Sequence, residues 1–200
     1  MRTDPRDLAL HTQEVMEHLP RLIQTRGTLV LFASGRQMRT VHAGLPQALQ
    51  FRILMQGCAS KTELIARHKA AIDRGEVSVI FGLASFAEGV DLAREYCTHV
   101  IVAKLSFPVP DTPIEEARRE WIERQGRSAF AEVTVPEATM RLAQAVGRLL
   151  RTIDDEGVVT CLDRRLVDTG WGRRILKGLP PFQLEIARPG QRSAGRRRAT

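Results

Sequence analysis

Apolar positions along this chain fall into short, nearly unbroken runs: TLVLFAS (28–34), QFRILMQ (50–56), VSVIFGLA (77–84), THVIVAKL (98–105) and GVVTCLD (157–163). A strand with one solvated face would alternate apolar and polar residues. Continuous runs rich in Val, Ile and Leu instead predict strands covered on both faces. Between them, apolar residues recur with helical spacing in RDLALHTQEVMEHLPRLIQ, RQMRTVHAGL, KTELIARHKAAIDRG, IEEARREWIERQG and PEATMRLAQAVGRLLR. Strands and helices that alternate in this way predict an α/β fold, a parallel sheet with helices on both faces.

Two stretches interrupt the alternation. SFPVPDTP (106–113) carries three prolines and can be neither helix nor central strand, so it opens an excursion from the sheet over 106–135. LPPFQLEIARPG (179–190) leads out to a terminal segment, RPGQRSAGRRRAT, holding five arginines and no acid. The chain thus divides into a body over 1–187, with a leading helix over 1–25, and a tail over 188–200 expected to be disordered. The formal net charge is +7, and without the tail's five positive charges the body carries +2. Such a tail attracts phosphate backbones without sequence preference, or serves as a solubilising terminus.

Cys58, Cys97 and Cys161 are too far apart for a disulfide framework or a CxxC zinc signature, and small buried hydrophobes are the expected role. No histidine has metal-ligand spacing, so no metal site is expected in this chain. No apolar run reaches membrane-spanning length and MRTDPRDLAL lacks the apolar core of a signal peptide, which predicts a cytoplasmic protein with no membrane partner.

In sheets of this kind ligands gather at the carboxyl ends of the strands. One such end, QGCASKTE (56–63), falls short of a phosphate loop. GxxxxGK[ST] needs a glycine beside the lysine, and Ser60 stands there instead. More telling is QAVGRLLR (144–151). Arg141, Gln144, Arg148 and Arg151 fall along one helix face, while Met140, Leu142, Ala143, Val146, Leu149 and Leu150 are expected to pack on the sheet. Guanidinium forks match phosphate geometry and hold their charge at any working pH. Gly147 disfavours a helix interior by about 1 kcal/mol, which invites close approach by a ligand or another backbone. A solvated face with ordinary ion pairs is the alternative.

SFAEGVDL (85–92) and QAVGRLLR, in this order and separation, resemble motifs V and VI of superfamily 2 helicases, in wording closest to the DinG/XPD-like branch and DinG in particular. LVLFASGRQM (29–38) resembles motif IV and ILMQG (53–57) the short motif after it. KLSFPVPDTPIE, SAFAEVTVPEA, VVTCLDRRL and GWGRRILKGLPPF follow in the family's order, with Trp171 where the family often has Tyr.

The resemblance implies a RecA-like, P-loop NTPase-type sheet lacking its own Walker A loop: the C-terminal half of an ATP-dependent 5′ to 3′ DNA helicase motor. ATP with Mg2+ would be shared with an N-terminal RecA-like motor domain, in cis or in trans, and the chain alone should not turn over. The Walker A loop, the acidic box and the ligands of any 4Fe-4S cluster would belong to that other half. By the same resemblance Arg148 and Arg151 reach across to the phosphates, Arg151 as the finger, and Gln144 orients the γ-phosphate or the attacking water. Glu88, Gly89 and Asp91, with Gly147, would line the nucleotide side. Ser34, Arg36, Gln56, Gly57 and Ser85 would meet single-stranded DNA or couple it to the cleft. Asp163 and Arg165 would couple the last strand to the cleft. The alternative is a truncated, non-catalytic nucleic-acid-binding module. Phe86, Phe107, Trp121 and Trp171 could stack bases, although core packing is the stronger expectation for each.

Overall fold

A computed structural model describes residues 1–87, 90, 92, 94–147 and 157–187. Glu88, Gly89, Asp91, Arg148, Arg151 and the tail 188–200 lie outside them. Five strands, β1 (Gly27–Phe32), β2 (Ile53–Met55), β3 (Ser78–Leu83), β4 (His99–Val102) and β5 (Val158–Cys161), form one sheet in the order β2-β3-β1-β4-β5. All four pairings are parallel, with Leu29 opposite both Ile80 and Val100. Each apolar run of the sequence supplies one strand, trimmed at its polar ends.

The pleat sends alternate side chains to opposite faces. Val30, Phe32, Val79, Phe81 and Ile101 pack against α1 (Leu8–Leu22) and α2 (Gly35–Gly44), through Val15, Leu19, Met38 and Val41. Leu29, Leu31, Ile80, Val100 and Val102 meet α4 (Lys61–Asp73), α5 (Ala84–Ala87), α7 (Val135–Val146) and α9 (Gly170–Lys177), through Leu64, Phe86, Leu142 and Ile175. One-turn helices α3 (Gln47–Gln50) and α8 (Arg165–Asp168) complete the body, and α6 (Pro113–Arg124) stands on the excursion with Ile122 its one buried residue. Phe81, fully buried, lies 5.0 Å from Phe32 between ring centroids. Truncating such a residue to Ala costs about 3–5 kcal/mol.

The helix starts follow local chemistry. Asp7, Ser34, Ser60, Thr112 and Thr169 each cap a helix by accepting the backbone N–H three residues on. Thr112 is followed by Pro113, whose missing N–H costs nothing in the first turn, and by Glu115 and Glu116, which suit the positive end of the helix. α7 departs from expectation. Its helical path begins before Pro136, through a π-helical segment, Phe130–Thr134, in which the Val135 N–H donates to the Phe130 carbonyl. Pro136 has no N–H for the carbonyl four residues back and crowds it, so the ladder widens there.

Candidate functional site

The parallel sheet aligns five carboxyl ends in one row. Along it lie Gln56 and Gly57 after β2, α5 with Ser85 after β3, Ser34 and Arg36 after β1, Leu105 after β4 and Asp163 after β5. The sequence-predicted DNA-side residues, scattered along the chain, therefore occupy three adjacent strand ends, those of β2, β3 and β1.

Each is held differently. The Ser34 hydroxyl caps α2 by accepting the Gln37 N–H at 3.3 Å, and Arg36 is exposed in that first turn. Gln56 donates its N–H to the Phe81 carbonyl and accepts the Leu83 N–H on Oε1, both at 2.8 Å. It thus ties the ends of β2 and β3 together. Gly57 takes φ +95°, a left-handed conformation that turns the chain with no side-chain strain, and it is exposed. Ser60 caps α4 by accepting the Glu63 N–H at 3.2 Å, and the Lys61 ammonium lies 5.3 Å above the Phe86 ring of α5.

The loop expected after β3 opens instead with the single turn α5, anchored by buried Phe86 and Ala87 and followed by buried Val90 and Leu92. Ser85 stays exposed on it. α5 packs on α7, and between them runs a shallow cleft lined by Ala84, Ala87, Arg141, Gln144 and Ala145. The structure thereby brings Gln144 to the end of β3, and Arg141 and Gln144 are both exposed. The buried stripe of α7 is Val135, Ala138, Leu142, Ala145 and Val146. Met140, expected in the core, is 56% exposed, because the helix docks through that stripe and Met140 lies off it. Gly147 caps α7 at φ −63°. Among the described residues the close contacts of an added Cβ would be α7's own Ala143 and Gln144 carbonyls, the nearer at 3.1 Å.

At the far end of the row, Asp163 is 2% exposed and saturated. Its carboxylate accepts the Leu105 N–H at 3.0 Å, the Arg165 N–H at 3.1 Å, and Arg165 Nε and Nη2 at 2.9 and 2.6 Å. His11, fully buried, lies behind the row. Its Nε2–H donates to the Leu162 carbonyl at 2.8 Å, leaving Nδ1 to accept from the Gln37 amide at 3.1 Å. Burial holds its pKa down, so the ring is neutral, and it links α1, the first turn of α2 and the end of β5. The sequence assigns His11 no specific role; its helical spacing from Val15 and Leu19, four and eight residues on and both buried, is the available signal.

Two groups are tested by the donors available. The three cysteines lie on separate segments, Cys58 exposed, Cys97 buried and Cys161 half-buried, and do not suit a cluster. Among the described residues no group of three or more His, Cys, Asp or Glu could hold a metal ion. Toward a nucleotide the described residues offer one exposed amide and one exposed guanidinium on α7, those of Gln144 and Arg141.

A five-stranded parallel sheet with helices on both faces and its strand carboxyl ends aligned in one row is an α/β body of the RecA-like kind. The chain belongs to the helicase C-terminal domain family, whose model matches residues 17–182. The ATP-dependent DNA helicase DinG of Photobacterium profundum is 38% identical over 179 residues, 88% of this chain and 26% of that protein. The ATP-dependent DNA helicase DinG of Escherichia coli (strain K12) is 38% identical over 159 residues, 80% of this chain and 22% of that protein. The DinG resemblance read from the sequence is thus borne out, and the chain spans about a quarter of the length of these relatives. Two solved structures, XPD_Helicase and XPD_APO, share the fold with TM-scores of 0.61 and 0.62, at 19% and 20% identity. They cover 89% and 84% of this chain, which in turn covers 31% and 33% of theirs. Among the described residues no helix is long and apolar enough to cross a membrane.

Proposed function

We propose that this chain is the second half of an ATP-dependent DNA helicase motor, supplying one wall of a nucleotide cleft and part of a track for single-stranded DNA. The observation that carries the reading is the packing of α7 against α5, which sets Gln144 beside the end of β3. Arg148 and Arg151 follow Gln144 by four and seven residues in the sequence. ATP with Mg2+, held mainly by a first motor domain, supplies the phosphoryl chemistry. On this side the Gln144 amide orients a phosphate oxygen or water, and the two guanidiniums neutralise charge that grows as the phosphoryl group transfers. Glu88, Gly89 and Asp91 serve the nucleotide, and Gly147 leaves room for it.

Ser34, Arg36, Gly57 and Ser85 meet the DNA backbone, and travel runs 5′ to 3′. Gln56 transmits their displacement, because its two hydrogen bonds end on Phe81 and Leu83, directly before α5. The test is Arg151→Ala in the complete two-domain motor, with an expected fall in kcat of about 10³- to 10⁵-fold. A fall under tenfold would remove Arg151 from the finger role. Deleting residues 188–200 separates this reading from a non-catalytic binding module: the motor half keeps most of its affinity for single-stranded DNA, whereas the module loses it.

A further inference from the structure

Three aromatic rings from three different elements meet beside Asp163. Phe107 comes from the proline-rich excursion, Phe130 from the π segment that leads into α7, and Trp171 from α9. Their centroids are 5.2 Å (Phe107 to Trp171), 5.7 Å (Phe107 to Phe130) and 5.8 Å (Phe130 to Trp171) apart, and both contacts of Trp171 are edge-on. The Arg165 guanidinium carbon lies 5.3 Å from the Phe107 centroid and 5.7 Å from that of Trp171. One cation therefore lies within reach of two rings while its N–H groups fork onto a carboxylate whose side chain is fully buried. An ammonium could lie near the rings too, but only a guanidinium also forks onto both carboxylate oxygens.

The surroundings leave this group little freedom. α8 and α9 cross so closely that a Cβ on Gly172 would sit 2.2 Å from the Arg165 carbonyl oxygen. Thr169 accepts the Gly172 N–H at 2.9 Å and donates its own hydroxyl to the same Arg165 carbonyl at 2.8 Å. The sequence Thr-Gly-Trp-Gly thus locks Trp171 over Arg165. Through Asp163 the group also grips the Leu105 N–H, where the excursion leaves β4. α7 packs on the π segment before it and on α9 across it, with Gly178 at the end of α9 set against Thr139.

We infer that Arg165 is a positioning residue: with Asp163 it clamps Phe107, Phe130 and Trp171 into a brace that fixes the pose of α7, and hence of the Gln144 wall, against the carboxyl edge. The functional part of this inference rests on the motor reading above; the structural part does not.

The test compares Arg165→Met and Arg165→Lys with wild type, taking exposed Arg173→Met on α9 as the control. Hydrogen exchange on the whole chain reads the brace directly. In Arg165→Met the amides of 105–112 and 130–146 exchange at least tenfold faster while those of β1 and β3 stay unchanged. In a Trp121→Phe background, where Trp171 is the sole tryptophan, its near-ultraviolet dichroism falls as well. Exchange within twofold of wild type in both segments would overturn the brace. If Arg165→Met fails to fold, Arg165→Lys, which keeps the charge at Asp163 and loses the flat fork, carries the same readouts.

With a DinG-type first motor domain added, Arg165→Lys lowers kcat at least tenfold with KM for ATP within twofold, and Arg173→Met leaves both unchanged. A wild-type mixture without turnover counts against the motor reading and leaves the exchange result to decide the brace. Turnover that is normal in Arg165→Lys, with only a lower Tm, overturns the positioning role.

Discussion

The two ends of the sheet's carboxyl edge are built on opposite principles. At the β2-β3-β1 end the polar residues Ser34, Arg36, Gly57 and Ser85 are half-buried or exposed, and their local hydrogen bonds serve only to shape short turns. At the β4-β5 end the Asp163 side chain is buried and that of Arg165 only 15% exposed, every oxygen of the carboxylate is used, and aromatic rings close the outer side. An open end can exchange partners, since water replaces whatever leaves. The closed end cannot, because a buried charge that loses its partner is strongly destabilised. The first suits a surface that grips and releases a moving strand; the second suits an anchor against which such a surface works.

The comparison can be broken most forcefully at the anchor. Asp163→Ala strands the Arg165 guanidinium and the Leu105 N–H, and should cost about 3–5 kcal/mol in urea unfolding. A loss below about 1 kcal/mol, the worth of an exposed pair, would mean that the closed end holds nothing together.

Acid attacks the link between the ends. His11 joins the first turn of α2 to the end of β5, and burial holds the pKa values of His11, His68 and His99 below the ordinary 6.5. The unfolded chain then takes up these protons first, so stability is full above about pH 6.5 and is lost as pH falls from there toward the lowered native values. Glu14 adds a second window. Burial opposes its ionisation, but hydrogen bonds from the Thr3 hydroxyl and the Thr3 and Arg2 backbones bring its pKa down to about 2. Its contribution is present above about 4.5 and disappears as pH falls to about 2. Urea midpoints should be flat between about pH 7 and 8 and decline from about pH 6.5 downward. A midpoint that rises on acidification would contradict the neutral His11 ring.

Smaller effects sharpen the contrast. Ser34→Ala removes one helix cap at the open end and should cost about 1 kcal/mol, well below the Asp163 variant. Thiol labelling should change stability least and discriminate cleanly. Cys58, at the open end, is exposed, whereas burial pushes the Cys97 and Cys161 thiols up to about 12, with Asp163 adding to the effect on Cys161. One thiol should react in the native chain and three after unfolding; fast native labelling of Cys161 would show that the closed end opens.

Much of this was legible in the sequence because the decisive patterns are long or chemically specific. All five strands were readable as apolar runs, and the dispersed DNA-side residues could be placed together because parallel sheets align carboxyl ends. What escaped depended on packing. α5 is a single turn whose Ala-Ser-Phe-Ala carries no strong helical signal, and only the burial of Phe86 and Ala87 fixes it. Met140 lies off the face that α7 buries through Val135, Ala138, Leu142, Ala145 and Val146, a choice that packing makes and hydrophobicity alone does not. Of the aromatics, Phe86 is core and Phe107 and Trp171 pack half-buried against that core, in line with expectation, whereas Trp121 is 56% exposed on α6. Asp163 and Arg165 are legible only through the resemblance, as a pair that couples the last strand, because no periodicity announces a contact between residues 58 positions apart, such as Asp163 with Leu105.

The most direct test of the half-motor is steady-state ATP hydrolysis by the purified chain, with and without single-stranded DNA, beside the same chain mixed with the first motor domain of a DinG-type helicase. No turnover by the chain alone and DNA-stimulated turnover in the mixture is the predicted result. Robust hydrolysis by the chain alone would contradict it, and would mean that QGCASKTE completes a nucleotide site which its sequence and the capped start of α4 argue against.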